Sequence, residues 1–232
     1  MYKQFYVDNG TSYQQVDIRN YNKKDIPDLI ALQRECFPLP FPEDLLWNEE
    51  QLYSHIERFP DGALCAVSEG RIIGSMTALM TDFDPHHPHH RWDEVTDNGY
   101  IGTHQNDGNS LYVVDISVSP HYRKLGIGKR LMQSMYELTV FKGLKRLIGG
   151  GRIPHYHKSA EEMTPEQYVQ AVLDGEKRDP VLSFLLQCGR SPVCVIPGYI
   201  EDEESLHYAV LMEWKNPFLT SFFQNKKQSF SN

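Results

Sequence analysis

The sequence predicts an α/β chain with a mixed central sheet of about seven strands and helices on its faces. Three observations carry this. β-Branched runs of strand length recur among helix-length amphipathic segments, rather than clustering at one end. One of these runs, Leu111 to Val118, stops at Pro120 and passes through a glycine turn into a helical pattern. The predicted order is strand, two helices, three strands, helix, strand, two helices, two strands.

Residues 1–13 are polar and aromatic and read as a short strand or a loose arm. Tyr13 to Arg19 suits the first strand. Asp25 is placed to cap a helix with Pro27 in its first turn and Ile26, Leu29, Ile30 and Phe37 along one face. Pro38, Pro40 and Pro42 end it. Asn48 and Gln51 have capping-box spacing and open a second helix, through Glu57. Gly62 to Ser68 and Arg71 to Thr81 are strands joined by a Glu69-Gly70 hairpin turn. Asp82 to Asn109 reads as a long polar loop, rich in His and Asp, of a length that is usually functional or mobile.

Past the glycine turn, Ile127, Leu131, Met135 and Leu138 recur at helical spacing, and Gly143 closes the helix. Leu144 to Ile148 is a strand that runs into Gly149–His157. Thr164-Pro165-Glu166-Gln167 supplies an N-cap, a first-turn proline and a capping glutamine for a helix ending at Gly175. Asp179-Pro180 opens another, to Gly189. Pro192 to Ile196 is a strand. Leu206 to Trp214 is its partner, with Tyr208, Val210, Met212 and Trp214 on one side. The acidic run Glu201 to Glu204 is a solvated turn between them.

An apolar content of 40% suffices for a real core, and a net charge of −8 disfavours nucleic-acid and anionic-membrane partners. Cys36, Cys65, Cys188 and Cys194 show no C-x-x-C spacing and suit reduced, buried thiols of a cytoplasmic protein. No secretion signal or membrane span is expected. The run Asp84-Pro-His-His-Pro-His-His-Arg91 carries two His-His pairs able to chelate zinc or nickel. It lacks the fixed spacing of a structural site, and no metal is predicted. Its neighbours Asp93, Glu94, Asp97 and Asp107 make the loop a candidate collar for a cationic substrate.

The chemistry concentrates in the glycine turn. Glycines at a helix N-terminus bare backbone N–H groups, and the helix dipole adds attraction for phosphate. Arg123, Lys124 and Lys129 add charge. A dinucleotide fingerprint would need a third glycine where Leu131 stands, and a Walker A loop an earlier glycine and a Ser or Thr at Arg130. The string that fits is Val118-Ser-Pro120, then Arg123-Lys124-Leu125-Gly126-Ile127-Gly128. It resembles the coenzyme A pyrophosphate loop of the GNAT superfamily of N-acetyltransferases. The resemblance covers residues 14–216, with one extra helix before the last, leaving 1–13 as an N-terminal arm and 217–232 as a C-terminal tail. In that tail Phe218, Phe222 and Phe223 could dock on the body. Gly150-Gly-Arg-Ile-Pro154, Asp179 to Phe184, Ile196 to Tyr199 and Ala209 to Trp214 further resemble the GNAT portion of proteins that fuse it to a carbon–nitrogen hydrolase. An amidase partner would then be a separate chain.

The resemblance implies acetyl transfer from acetyl-CoA to a primary amine of a small molecule, amino acid or peptide, by direct attack in a ternary complex. A homodimer is compatible with it. Ile116 and Val118 would offer backbone groups to the pantetheine, residues 123–128 their amides to the pyrophosphate, and Ser117 or Val118 an N–H to the thioester carbonyl. An alkylamine has a pKa of about 10, so a base must remove a proton. Asp115 is one candidate, its alternative being a buried structural carboxylate; His155 and His157, in the segment after the neighbouring strand, are others, or are plain loop residues. Arg152 could bind a substrate carboxylate or pair within its loop. One departure stands out. The family's tyrosine acid, four residues before a glycine in the last helix, falls on Leu185. Tyr156 or Tyr199 could substitute. Otherwise the thiolate leaves unaided, or the chain is a coenzyme A-binding sensor without catalysis.

Overall fold

The structure, a computed structural model, describes residues 1–8 and 10–219. Its strands are β1 Tyr2–Asp8, β2 Tyr13–Asn20, β3 Ala63–Ser68, β4 Arg71–Thr81, β5 Ser110–Val118, β6 Arg146–Arg152, β7 Ser191–Ile196 and β8 Ala209–Lys215. Its helices are α1 Ile26–Cys36, α2 Glu49–Arg58, α3 Trp92–Thr96, α4 Ile127–Phe141, α5 Pro165–Leu173 and α6 Pro180–Gln187. The strands form one eight-stranded sheet in the order β1-β2-β3-β4-β5-β6-β8-β7. Only β5 and β6 pair in parallel, and α4 is their crossover.

The mixed sheet with flanking helices is as expected. Its eighth member is the N-terminal segment, the strand of its two alternatives, an edge strand in full register with β2 from Tyr2↔Arg19 to Asp8↔Tyr13. Its alternation is faint because Tyr2 and Tyr6 are exposed and only Val7 is buried. The segment 82–109, expected as a loop, holds a short helix, α3, at whose start the Arg91 amide donates to the Glu94 carboxylate at 3.3 Å, and which stops at Asp97 in the left-handed region. Phe222 and Phe223 lie outside the described residues, and Phe218 is exposed.

Local rules account for most ends. Asn48–Gln51 and Thr164–Gln167 form reciprocal capping boxes. Asp179 accepts from the Val181 and Leu182 amides at 2.9 Å. Asp25 does not cap α1 through its side chain. Arg19 grips its carboxylate through two bonds of 2.7 Å, and Asn22 adds another at 2.8 Å, which hold it below the ordinary carboxylate range despite burial. Pro192 lies on β7, an edge strand where a missing N–H is tolerated.

Side-chain alternation on β5 separates the two faces. Asp115 and Ser117 point to Gln33 of α1, and Val118 points to α4 and Phe184 of α6. The core continues through both layers, from Leu29 and Leu32 to Leu131, Met135 and Leu182. All four cysteines are free, Cys65 fully buried and Cys36 largely so. Among the described residues no helix is long and apolar enough to cross a membrane.

Candidate active site

The central fork of the sheet makes the site. β5 and β6 pair only at Ser110↔Arg146, Leu111↔Leu147 and Tyr112↔Ile148, then diverge. Two features force them apart. Val114 is an extra residue on β5 opposite Thr77 and Ala78, a bulge that bends the strand. On β6 each glycine admits a neighbour: a Cβ at Gly150 would fall 2.3 Å from the Tyr199 ring, and one at Gly151 would fall 2.5 Å from Leu185. A cleft of about 630 Å³ opens between the arms.

One wall is β5 from Val113 to Val118, continuing into Arg123, Lys124 and Gly126 to Lys129. Gly126 takes φ +80, which a side chain would strain, and starts α4 with its amides uncapped by any side chain. Lys124 is also at positive φ. Gly128 lets Phe184 come within 3.2 Å of where its Cβ would be. The turn thus lines the cleft with the N–H groups of a helix start and with cationic residues, a cradle suited to a pyrophosphate. Leu125 shapes the turn but does not line the cleft.

The second wall is Gly150 to Arg152, Tyr199 and the α6 face Pro180, Val181, Phe184 and Leu185. A third side, absent from the sequence reading, comes from α1 and the loop after it: Gln33, Phe37, Phe41, Leu45 and Trp47. Of the segment 82–109, Trp92 lines the cleft. The expected collar of carboxylates does not form there. Asp93 instead pairs with Arg91 at 2.9 Å.

Asp115 sits on the β5 wall. Its Oδ2 accepts from Gln33 Nε2 at 2.9 Å and Ser117 Oγ at 3.0 Å. Burial outweighs these bonds and pushes its carboxyl up to about 6. It is therefore an ionisable carboxylate inside a largely apolar cleft.

The other predicted residues are held elsewhere. Arg152 reaches the cleft, but its guanidinium is clamped by Asp202 at 2.6 and 2.7 Å and lies over the Phe41 ring. His155, Tyr156 and His157 do not line the cleft. The His155 amide donates to Asp179 Oδ2 at 3.1 Å, and its ring reaches the Arg178 carbonyl. Tyr156 is buried against Tyr168 and Tyr208 and donates to the Met163 carbonyl at 3.0 Å. His157 faces the Pro154 and Glu204 carbonyls. A catalytic role for His155 and Tyr156, and a substrate contact for His157, therefore find no support in their placement. Asp179, buried completely, is the hub that pins this segment to α5 and α6. Among the described residues, no three His, Cys, Asp or Glu side chains assemble as a metal site.

Comparison with known proteins agrees with this geometry. Residues 26–150 match the model of the Acetyltransferase (GNAT) family. The chain is 63% identical over 216 residues, 93% of its length and 96% of the relative's, to the uncharacterized N-acetyltransferase YkwB of Bacillus subtilis (strain 168). It is 46% identical over 200 residues to the probable hydrolase YhcX of the same organism, covering 86% of this chain and 38% of that longer one. Its fold matches a GphF GNAT-like decarboxylase in complex with isobutyryl-CoA, at a TM-score of 0.74 and 25% identity over 86% of this chain and 98% of that one. With the forked strands, the glycine turn and these relatives in agreement, the chain belongs to the GNAT family of acetyltransferases, with acetyl-CoA as its cosubstrate.

Proposed function

We propose that the chain moves the acetyl group of acetyl-CoA to a primary amine of a small molecule, amino acid or peptide, by direct attack within a ternary complex. The observation that carries this reading is the cleft itself. It joins a phosphate cradle at the α4 N-terminus to an ionisable carboxylate, Asp115, along one strand. Amides of residues 123–128 hold the pyrophosphate, and the β5 edge from Ile116 to Val118, facing away from β4, holds the pantetheine. The acyl carbon then lies beside Asp115. Residues 14–216 form the transferase domain, with β1 as an added edge strand.

Asp115 supplies the one carboxylate among the cleft-lining residues. Ionised above pH of about 6, it attracts the ammonium form of the acceptor. Below that pH the attraction fades as the carboxyl takes up a proton. The acceptor KM is therefore expected to rise as pH falls through 6. In Asp115→Asn it should be raised about tenfold at pH 7 and lose that pH dependence. Steady-state kinetics on each side of pH 6 reads both effects, and calorimetry should show coenzyme A affinity within about twofold of wild type.

A screen of amines, amino acids and short peptides, with detection of released thiol, tests the activity. Turnover establishes transfer. Tight coenzyme A binding without turnover on any acceptor supports the sensor reading, which Leu185 at the expected tyrosine position motivates. The likeness to the GphF decarboxylase favours a second enzymatic reading: loss of CO2 from an acyl-CoA that carries a carboxyl group on the carbon next to its thioester carbonyl, which takes up the electron pair as an enolate. Acyl-CoA conversion without any amine, with release of CO2, would select it.

A further inference from the structure

Behind the cleft, three side chains form a continuous hydrogen-bonded line, and two of them, Tyr112 and His90, have no task in the acetyl-transfer reading. Tyr199 stands in the cleft wall over Gly150 and is 3% exposed. Its hydroxyl lies 2.7 Å from the Tyr112 hydroxyl, which lies 2.9 Å from Nε2 of His90. Beyond it, His90 Nδ1 is 2.8 Å from the Pro88 carbonyl.

That last contact sets the direction of the whole line. A carbonyl only accepts, so Nδ1 carries the hydrogen and Nε2 of the neutral ring accepts. Tyr112 then donates to His90, and Tyr199 donates to Tyr112. The Gly150 amide faces both phenol oxygens and favours negative charge on each, and Tyr199 is the member of the line that reaches the cleft. The line is also built in. The Trp92 amide donates to the Tyr199 carbonyl at 2.8 Å, and the Trp92 indole donates to the Val114 carbonyl at 3.1 Å. The segment bearing His90 is thereby fastened to the fork. Of the histidines in its run, His86, His87 and His89 are exposed and His90 alone is half-buried.

We propose that Tyr199, Tyr112 and His90 carry away the proton that the acceptor amine loses, with Tyr199 as the catalytic residue that receives it and the other two as positioning residues behind it. This rests on the amine-transfer reading above. The N–H bond of the acceptor breaks and its proton bonds to Tyr199 Oη. The hydrogen already on Tyr199 passes to Tyr112, and that of Tyr112 to His90 Nε2. The amine keeps the electron pair that forms the new C–N bond as the thioester C–S bond breaks; the coenzyme A thiolate leaves with the C–S pair and takes the second proton of the nitrogen, and half-buried His90 returns the first to water.

The surroundings agree with flow in this direction. Burial lowers the His90 imidazole, opposed by the Pro88 carbonyl and Glu94 and assisted by His89, so the ring is neutral and accepting at pH 7. Burial pushes Tyr199 up to about 12 and Tyr112 up as well, so neither is stored as an anion. Arg190, the cation facing both tyrosines, donates to the Gly149 and Met212 carbonyls and disfavours a proton resting on either phenol.

The test compares wild type with Tyr199→Phe, Tyr112→Phe and His90→Gln on two acceptors. One is an alkylamine, protonated at the assay pH. The other is a weakly basic amine, such as an arylamine, already neutral there. With the alkylamine, kcat is expected to fall about 100-fold in Tyr199→Phe and about tenfold or more in the other two. With the weakly basic amine each loss should shrink to about threefold, while coenzyme A affinity by calorimetry stays unchanged. Equal losses on both acceptors, or none, would overturn the proposal, because a merely structural role does not sense the acceptor's basicity. Nitrogen-15 NMR of His90 gives a reading free of turnover. The Nδ1–H form at pH 7 is expected, and the Nε2–H form would overturn the direction of flow. If wild type acetylates no amine while His90 shows the Nδ1–H form, the transfer reading fails and the line itself stands.

Discussion

Valine in place of Gly126 is expected to weaken coenzyme A binding about 100-fold or more, read by titration calorimetry on a variant whose circular dichroism matches wild type. Space is not the obstacle, since a Cβ at Gly126 would meet nothing within 4 Å. The obstacle is the backbone. Gly126 sits at φ +80 and ψ 2, a region that costs a β-branched residue about 1–2 kcal/mol or more. Valine relieves this by turning the peptide, and the amides of the turn then point away from the phosphates. Losing two charge-assisted bonds of about 1.5–3 kcal/mol each exceeds a 100-fold change. Gly128 provides the contrast. It lies within the helix, and its Cβ would only press the Phe184 ring at 3.2 Å. Gly128→Ala should therefore weaken binding less than about tenfold. Unchanged affinity in Gly126→Val would remove the turn from the coenzyme A site.

The contrast between these glycines and the rest of the site explains what the sequence makes legible. The turn after β5 is local: its strand, its glycines and its helix are contiguous, so their spacing carries the chemistry. The same holds for the caps at Asn48, Thr164 and Asp179, where donor and acceptor lie two or three residues apart. Asp115 was visible as a carboxylate on the central strand. Its partner Gln33 lies 82 residues away, and no spacing rule links them. Likewise Tyr199 meets Tyr112 across 87 residues, and His90 joins them from a run that reads as solvent-exposed. The expectations for His155 and Tyr156 rested on nearness in sequence to the splayed strand. Asp179 draws that segment onto α5 and α6 instead, and the third side of the cleft is built from α1 and the loop after it. Even β1 follows this rule, since its register with β2 decides its fate and its own alternation is faint.

Asp115→Asn is expected to make the protein more stable at pH 7, by about 1–3 kcal/mol, even as it impairs acceptor binding. The folded state holds the Asp115 carboxyl at about 6, against about 4 in an unfolded chain. A group with a raised folded pKa binds its proton more tightly when folded. For a carboxyl, the ionised form is then the disfavoured one, and the penalty is fully present above pH 6. It reaches about 3 kcal/mol, two pKa units at about 1.4 kcal/mol each, and vanishes below pH of about 4. His55 works in the opposite sense. It is fully buried between the Tyr21 hydroxyl at 2.9 Å and the Gly99 carbonyl at 2.6 Å, and burial lowers its imidazole to about 4. The unfolded chain takes up that proton near pH 6.5, so His55 removes about 3 kcal/mol of stability as pH falls from 6.5 to 4. Across that window the two groups offset each other in wild type. In Asp115→Asn the His55 contribution stands alone. Urea unfolding should therefore show the variant more stable than wild type at pH 7 and losing its advantage as pH falls to about 4. A variant less stable than wild type at pH 7 would mean that Asp115 serves the fold through Gln33 and Ser117, and that the carboxylate is not held in the cleft for a substrate.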